Sequence, residues 1–120
     1  MEKGSGFEEK RRRPRVLINL PIDFQIIGPE VYPGVALDAS ETGLFIQTVK
    51  QMAVGTKVRI TLLLPEGSSR QQIGAIAEII WKDVCLLEDL EGYQYGLKFI
   101  QISDEDYLEL KRILDKLMKT

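Results

Sequence analysis

The sequence predicts an all-β chain with a terminal helix: a six-stranded antiparallel β-barrel followed by one C-terminal α-helix. Three observations carry that expectation. Apolar residues alternate at period two through several segments from Val16 onward, and clusters such as Gly28-Pro29, Pro33-Gly34 and Pro65-Glu66-Gly67-Ser68-Ser69 punctuate them at short intervals. After Ile100 the apolar spacing changes to three and four, which is helical. A sandwich and an OB-like barrel share these signals and stand as alternatives.

The elements follow in order. Met1 to Lys10 lack either periodicity and read as a flexible N-terminal arm, so the folded unit is expected over 11–120, with the barrel at about 16–100 and the helix at about 103–119. Val16, Ile18, Leu20, Ile22, Phe24 and Ile26 alternate against Asn19, Asp23 and Gln25, a long first strand with Pro21 offering a bend. Val35 to Asp38 and Leu44 to Thr48 are the second and third strands, on either side of a turn through Gly43. Val58, Ile60, Leu62 and Leu64 define a fourth. Gln71 to Lys82 is a fifth in which Gly74 marks a bulge or bend, and Val84 to Leu87 and Tyr93 to Ile100 supply one or two more. Trp81 reads as core or rim packing, and Tyr93 and Tyr95 as strand residues.

Ser103 is a good N-cap, Asp104, Glu105 and Asp106 load the first turn with negative charge, and Lys111, Arg112, Lys116 and Lys119 follow towards the other end, in accord with the helix dipole. Tyr107, Leu110, Ile113, Leu114, Leu117 and Met118 form the apolar stripe. Its Leu117–Met118 end can pack inward or reach a second copy, so both a monomer and a homodimer fit.

Composition excludes several function classes. With 120 residues and 44% hydrophobic content the chain can close one core. A net charge of −2 argues against a general nucleic-acid coat, yet four of the sixteen Lys and Arg residues fall between Arg11 and Arg15. No histidine is present, which removes the usual general base and the commonest nitrogen ligand for metals, so neither catalytic nor metal-binding residues are assigned. Cys85, the one cysteine, lies in an apolar run and reads as a buried thiol in a reducing compartment. Met1 to Lys10 carry no apolar signal-peptide core, and no run of about eighteen apolar residues occurs, so a cytoplasmic location without a membrane span is expected.

Two clusters stand out. Asp38-Ala39-Ser40-Glu41-Thr42-Gly43 brings short side-chain oxygens, with a glycine that permits a positive φ or the close approach of another backbone. Taken alone it is ordinary hairpin material. Arg11-Arg12-Arg13-Pro14-Arg15, taken alone, is a solvated basic arm in which Pro14 disfavours helix. Together they indicate an anion site.

The order of these parts resembles the PilZ domain family: an Arg-x-x-x-Arg segment, Arg11 to Arg15, ahead of the first long strand, Asp38-x-Ser40-x-x-Gly43 between the second and third, Gly96-Leu97-Lys98-Phe99 ending the last, and a terminal helix. The resemblance covers roughly residues 9 to 118. It implies a six-stranded barrel that binds the bacterial second messenger cyclic di-GMP on its outside through Arg11, Arg15, Asp38, Ser40 and Gly43, with Lys10, Arg12 and Arg13 as auxiliary cations and no cofactor. Arginine suits such a ligand because its guanidinium grips phosphate, stacks on bases and bonds to guanine O6 and N7. A carboxylate at Asp38 accepts from guanine N1 and N2, which adenine does not offer in that form. The expected function is a non-enzymatic cyclic di-GMP receptor whose arm orders over the barrel and relays the signal to a downstream protein. The rival readings are a protein-interaction adaptor with the same fold and little nucleotide affinity, and an RNA or single-stranded DNA binder, which would show a steep salt dependence. The acidic remainder of the chain argues against nucleic acid.

Overall fold

The computed structural model describes residues 15–87 and 90–118. Its elements are β1 (Val16–Gln25), β2 (Tyr32–Ala39), β3 (Gly43–Thr48), β4 (Lys57–Leu63), β5 (Gln72–Leu87), β6 (Leu90–Ile102) and α1 (Asp104–Met118). Period-two alternation explains why these segments are strands. In β4, Val58, Ile60 and Leu62 are buried while Lys57 and Arg59 are exposed, so one face enters a core and the other meets water. All neighbours pair antiparallel in the order β1-β2-β3-β6-β5-β4, and β4 returns to β1 from Ile22↔Leu62 to Gln25↔Arg59. The barrel is closed, as the alternation and short connections predict.

Several details differ from the sequence-based expectation. β2 begins at Tyr32, so Pro33 and Gly34 lie within the strand and the turn is confined to the residues before it. Proline is tolerated there because Pro33 lies beyond the last β2–β3 ladder pair, Val35↔Gln47, and the Thr48 hydroxyl donates to its carbonyl at 2.8 Å. Gly74 sits in a regular ladder opposite Thr61, whereas the register shifts of β5 against β6 fall at Ile76/Ala77 and Ile79/Trp81. Lys82 and Val84 belong to one sixteen-residue strand, which pairs with β6 as far as Leu87↔Leu90. The β4 ladder ends at Lys57↔Glu78, so the far end of β5 runs past it, and Cys85 is half-buried rather than buried.

The core is filled from every strand, with Phe24, Ile46, Ile60, Ile79 and Tyr95 nearly inaccessible. Met52, in the β3–β4 connection, also enters it, and its N–H donates to the Tyr95 hydroxyl at 2.8 Å while that hydroxyl donates to the Lys50 carbonyl at 2.8 Å. Burial of the Tyr95 ring pushes its phenol pKa up, and the Met52 N–H opposes that shift.

At one end α1 packs against β1 and β5, inserting Leu110 and Leu114. Ser103 caps it, its hydroxyl oxygen accepting from the Asp106 N–H at 3.1 Å. The Ser69 hydroxyl lies 3.0 Å from either carboxylate oxygen of Glu109, Arg112 approaches that carboxylate at 3.1 Å, and Arg70 pairs with Asp106 at 3.0 Å. These bonds clamp the β4–β5 connection to the helix and account for a Glu109 side chain that is buried despite its charge. The stripe fades at its C-terminal end, where Met118 is exposed. No helix among the described residues is long and apolar enough to cross a membrane.

Candidate ligand site

The direction of Asp38 is set by two irregularities at one level of the sheet. Between Ala36↔Ile46 and Asp38↔Phe45, Leu37 is an extra residue of β2; between Leu17↔Asp38 and Leu20↔Ala36, Ile18 and Asn19 of β1 face that one residue. Asn19 accommodates the bulge with φ +50°, a left-handed conformation that asparagine tolerates better than most residues. A bulge shifts side-chain parity. Ala36 and Ala39, three residues apart, therefore both point into the core, and Asp38 turns to the outside.

On that outer face Arg15, just ahead of β1, donates from Nε to Asp38 Oδ1 at 2.7 Å, with the Arg15 side chain 48% exposed and that of Asp38 19%. Among the described residues the guanidinium is held by one nitrogen, and about half of the side chain is exposed. Of the arginine segment, the structure brings Arg15 to the turn; Lys10, Arg11, Arg12 and Arg13 lie outside the described residues.

Ser40 and Gly43 occupy a different situation. Ser40 is 1% exposed; its N–H donates to the Gly43 carbonyl at 3.0 Å and its hydroxyl oxygen accepts from the Thr42 N–H at 3.2 Å. Its polar atoms are spent inside the turn. The φ of Gly43 is not positive, and what this position requires of a glycine is close approach. A Cβ there would collide with the Leu97 carbonyl oxygen and lie 3.0 Å from the carbonyl carbon and 3.3 Å from Lys98 Cα. The Thr42 carbonyl accepts from the Phe99 N–H at 2.8 Å beside it, so the turn is bolted to β6.

Sequence reasoning did not connect Phe45, Trp81 and Lys98 with this surface. The register aligns Leu17, Asp38, Phe45, Gly96 and Trp81 in a row across five strands. Phe45 and Trp81 meet over Gly96 with ring centroids 5.5 Å apart and tilted by 42°, and Trp81 is 45% exposed, a ledge on the outside rather than core packing. Lys98 is exposed opposite Gly43. Only the pairing register, which is not local in the sequence, reveals this grouping. Chemically, the face offers a guanidinium and an ammonium for an anion, a carboxylate for an N–H donor, and an aromatic surface for a planar heterocycle.

A closed antiparallel barrel with its polar constellation outside, at the first hairpin, and a helix over one end defines a distinct class of small β-barrel. The chain belongs to the PilZ domain family, whose model matches residues 9–116. Among solved structures it is similar to the PilZ domain with c-di-GMP of YcgR from Escherichia coli, with 14% identity over 92% of each chain and a TM-score of 0.74. It is also similar to the K. pneumonia MrkH–c-di-GMP complex, with 19% identity over 91% of this chain and 52% of that one (TM-score 0.75). The third is the Borreliella burgdorferi PlzA protein in complex with c-di-GMP, with 13% identity over 93% and 52% (TM-score 0.66). The chain thus spans about half the length of MrkH and PlzA. Comparison with curated proteins finds no match.

Proposed function

We propose that this chain is a non-enzymatic receptor for cyclic di-GMP in the bacterial cytoplasm. The observation that carries the reading is the Arg15–Asp38 pair at 2.7 Å on the outer face, in one row with the Phe45–Trp81 ledge. The c-di-GMP named in the titles of the similar YcgR, MrkH and PlzA structures supports it. Arg15 and Arg11 grip phosphate or stack on guanine, and Asp38 accepts from guanine N1 and N2. Ser40 and Gly43 serve by holding the turn, given the bonds of Ser40 within it and the backbone contact of Gly43. Lys10, Arg12 and Arg13 assist. Ligand binding draws the arm against the barrel, and the altered surface is read by a downstream protein, with the receptor a monomer or a homodimer.

Calorimetric titration of cyclic di-GMP into the purified chain tests this, beside Arg15→Ala and Asp38→Ala and with GMP as the control ligand. Saturable binding that either substitution abolishes, with a shallow salt dependence from a ligand carrying two phosphates, is the expected result. A folded chain that gives neither heat nor thermal shift at millimolar ligand would sink the proposal and leave the adaptor reading.

A further inference from the structure

Beyond the last β4 pair, Lys57↔Glu78, β5 keeps β6 on one side and has no strand on the other among the described residues. The direction of its main-chain groups there follows from two observations. Ile79 donates its N–H to the Thr56 carbonyl and its own carbonyl accepts from the Gly55 N–H, so both groups face β4. The register shift between Ile79 and Trp81 then inserts Ile80 and reverses the alternation, which turns the N–H and C=O of Lys82, Val84 and Leu86 to the open side. Accordingly, the Val84 N–H is taken up by the Asp83 carboxylate at 2.8 Å. The side chains of these three residues lie on the face that is core within the barrel, since Lys82 and Val84 stand opposite Tyr95 and Tyr93. Among the described residues nothing closes over that face here, and Val84 is 53% and Leu86 79% exposed. A strand edge with unpaired main-chain groups and bare apolar side chains is a template for another strand.

We propose that this edge pairs with the same edge of a second copy, β5 against β5, about a two-fold axis at Val84. An antiparallel pair of identical strands is self-complementary. The axis stands perpendicular to the sheet, so residues that face one another carry their side chains on the same side. Centring the pair on Lys82 or on Asp83 would set like charges opposite each other, which is destabilising. Centring it on Val84 sets Val84 against its own counterpart, Lys82 against Leu86 of the second copy, and Asp83 against Cys85 of the second copy. No like charges then meet, and the exposed Val84 side chains cover one another while Leu86 lies along the Lys82 stem. Lys82, Val84 and Leu86 exchange about six main-chain hydrogen bonds in this register, against about four for Val84 and Leu86 when Cys85 is the centre. Pairing asks Asp83 to release the Val84 N–H, and its exposed carboxylate can turn to water instead. The pairing rests on the strand edge alone and holds whether or not the chain binds a nucleotide.

Sedimentation velocity of the full chain without nucleotide, from micromolar to millimolar, tests the proposal. The expected result is reversible dimerisation that deepens with concentration. Val84→Pro removes the outward N–H without touching the β6 ladder, and Leu86→Lys sets a charge against Lys82 of the second copy. Both should sediment as monomers throughout, with the circular dichroism of the parent. Leu86 is largely exposed, so its variant decides the matter if proline disturbs the strand. Asp83→Ala, which frees the Val84 N–H, should shift the equilibrium towards the dimer. Mild oxidation in a Cys85→Ser background reads the register: Val84→Cys should cross-link to its counterpart on the axis, whereas Leu86→Cys should not. A parent that stays monomeric at millimolar concentration overturns the proposal and leaves the edge to a strand of another protein. A dimer that survives Leu86→Lys, or that cross-links through Leu86→Cys in place of Val84→Cys, overturns it as well.

Discussion

Replacing Gly43 with alanine puts a methyl group where the β3–β6 ladder has no room for one. The atoms it meets are the Leu97 carbonyl and Lys98 Cα, all main chain, so no side chain can swing away. Relief requires the strands to part by on the order of 1 Å, an overpacking cost of about 2 kcal/mol. That movement also stretches the Ser40 N–H···Gly43 carbonyl and Phe99 N–H···Thr42 carbonyl bonds, now 3.0 and 2.8 Å, at about 1 kcal/mol each. The expected loss is therefore about 4 kcal/mol. Urea unfolding followed by Trp81 fluorescence, with a slope of about 2 kcal/mol/M for a chain of this size, should show the midpoint fall by about 2 M. Gly96→Ala is the control. Its Cβ meets Trp81 Cβ at 3.3 Å and Cε3 at 3.7 Å, a partly exposed side chain that can shift, and it should cost about 1 kcal/mol or less. If Gly43→Ala unfolds at the same urea concentration as Gly96→Ala, the close-approach account of this glycine is wrong.

Other substitutions separate binding from stability. Arg15→Ala should leave the unfolding free energy within about 0.5 kcal/mol of the parent, because the Arg15–Asp38 pair is solvent-exposed on the arginine side, while abolishing calorimetric binding of cyclic di-GMP. Leu110→Ala opens a cavity under the helix and should cost about 2–5 kcal/mol in the same unfolding assay, against less than about 0.5 for Leu108→Ala on the exposed side. Tyr95→Phe strands the Met52 N–H and the Lys50 carbonyl and should cost about 1–3 kcal/mol. The same tyrosine sets an alkaline limit. Its folded pKa lies above the ordinary 10.0, so its contribution is complete below pH 10 and is lost as pH rises from there through the folded value. Equilibrium unfolding between pH 9 and 11 should show that decline in the parent and a weaker one in Tyr95→Phe.

Much of the architecture was legible because it follows from local rules. Alternation from Val16 to Gln25 and Lys57 to Leu63 marks strands with one buried face, and Ser103 with three acids behind it marks a helix start. What was not legible depends on partners distant in the chain. Pro33 reads as a turn until the reach of β3 is known, Cys85 reads as buried until β5 is seen to overrun β4, and Gly74 reads as a bulge although the shifts fall elsewhere. Glu109 is hidden only because Ser69 and Arg112 satisfy it. At the site, Arg15 and Asp38 are the two members of the sequence clusters that meet, whereas the inward commitment of Ser40 and the Phe45–Trp81 ledge needed the register.

Strand order also bears on the time at which the two halves of the site are assembled. Arg15 and Asp38 come together when β1 pairs with β2, neighbours in sequence whose loop is short and cheap to close. Gly43 gains its neighbour only when β3 finds β6, with β4 and β5 intervening along the chain. Contacts of such separation form slowly. During refolding, the charged pair is thus available early on a loose hairpin, and the rigid turn that aims it arrives with the last step of barrel assembly, so that recognition and global cooperativity appear in the same kinetic phase.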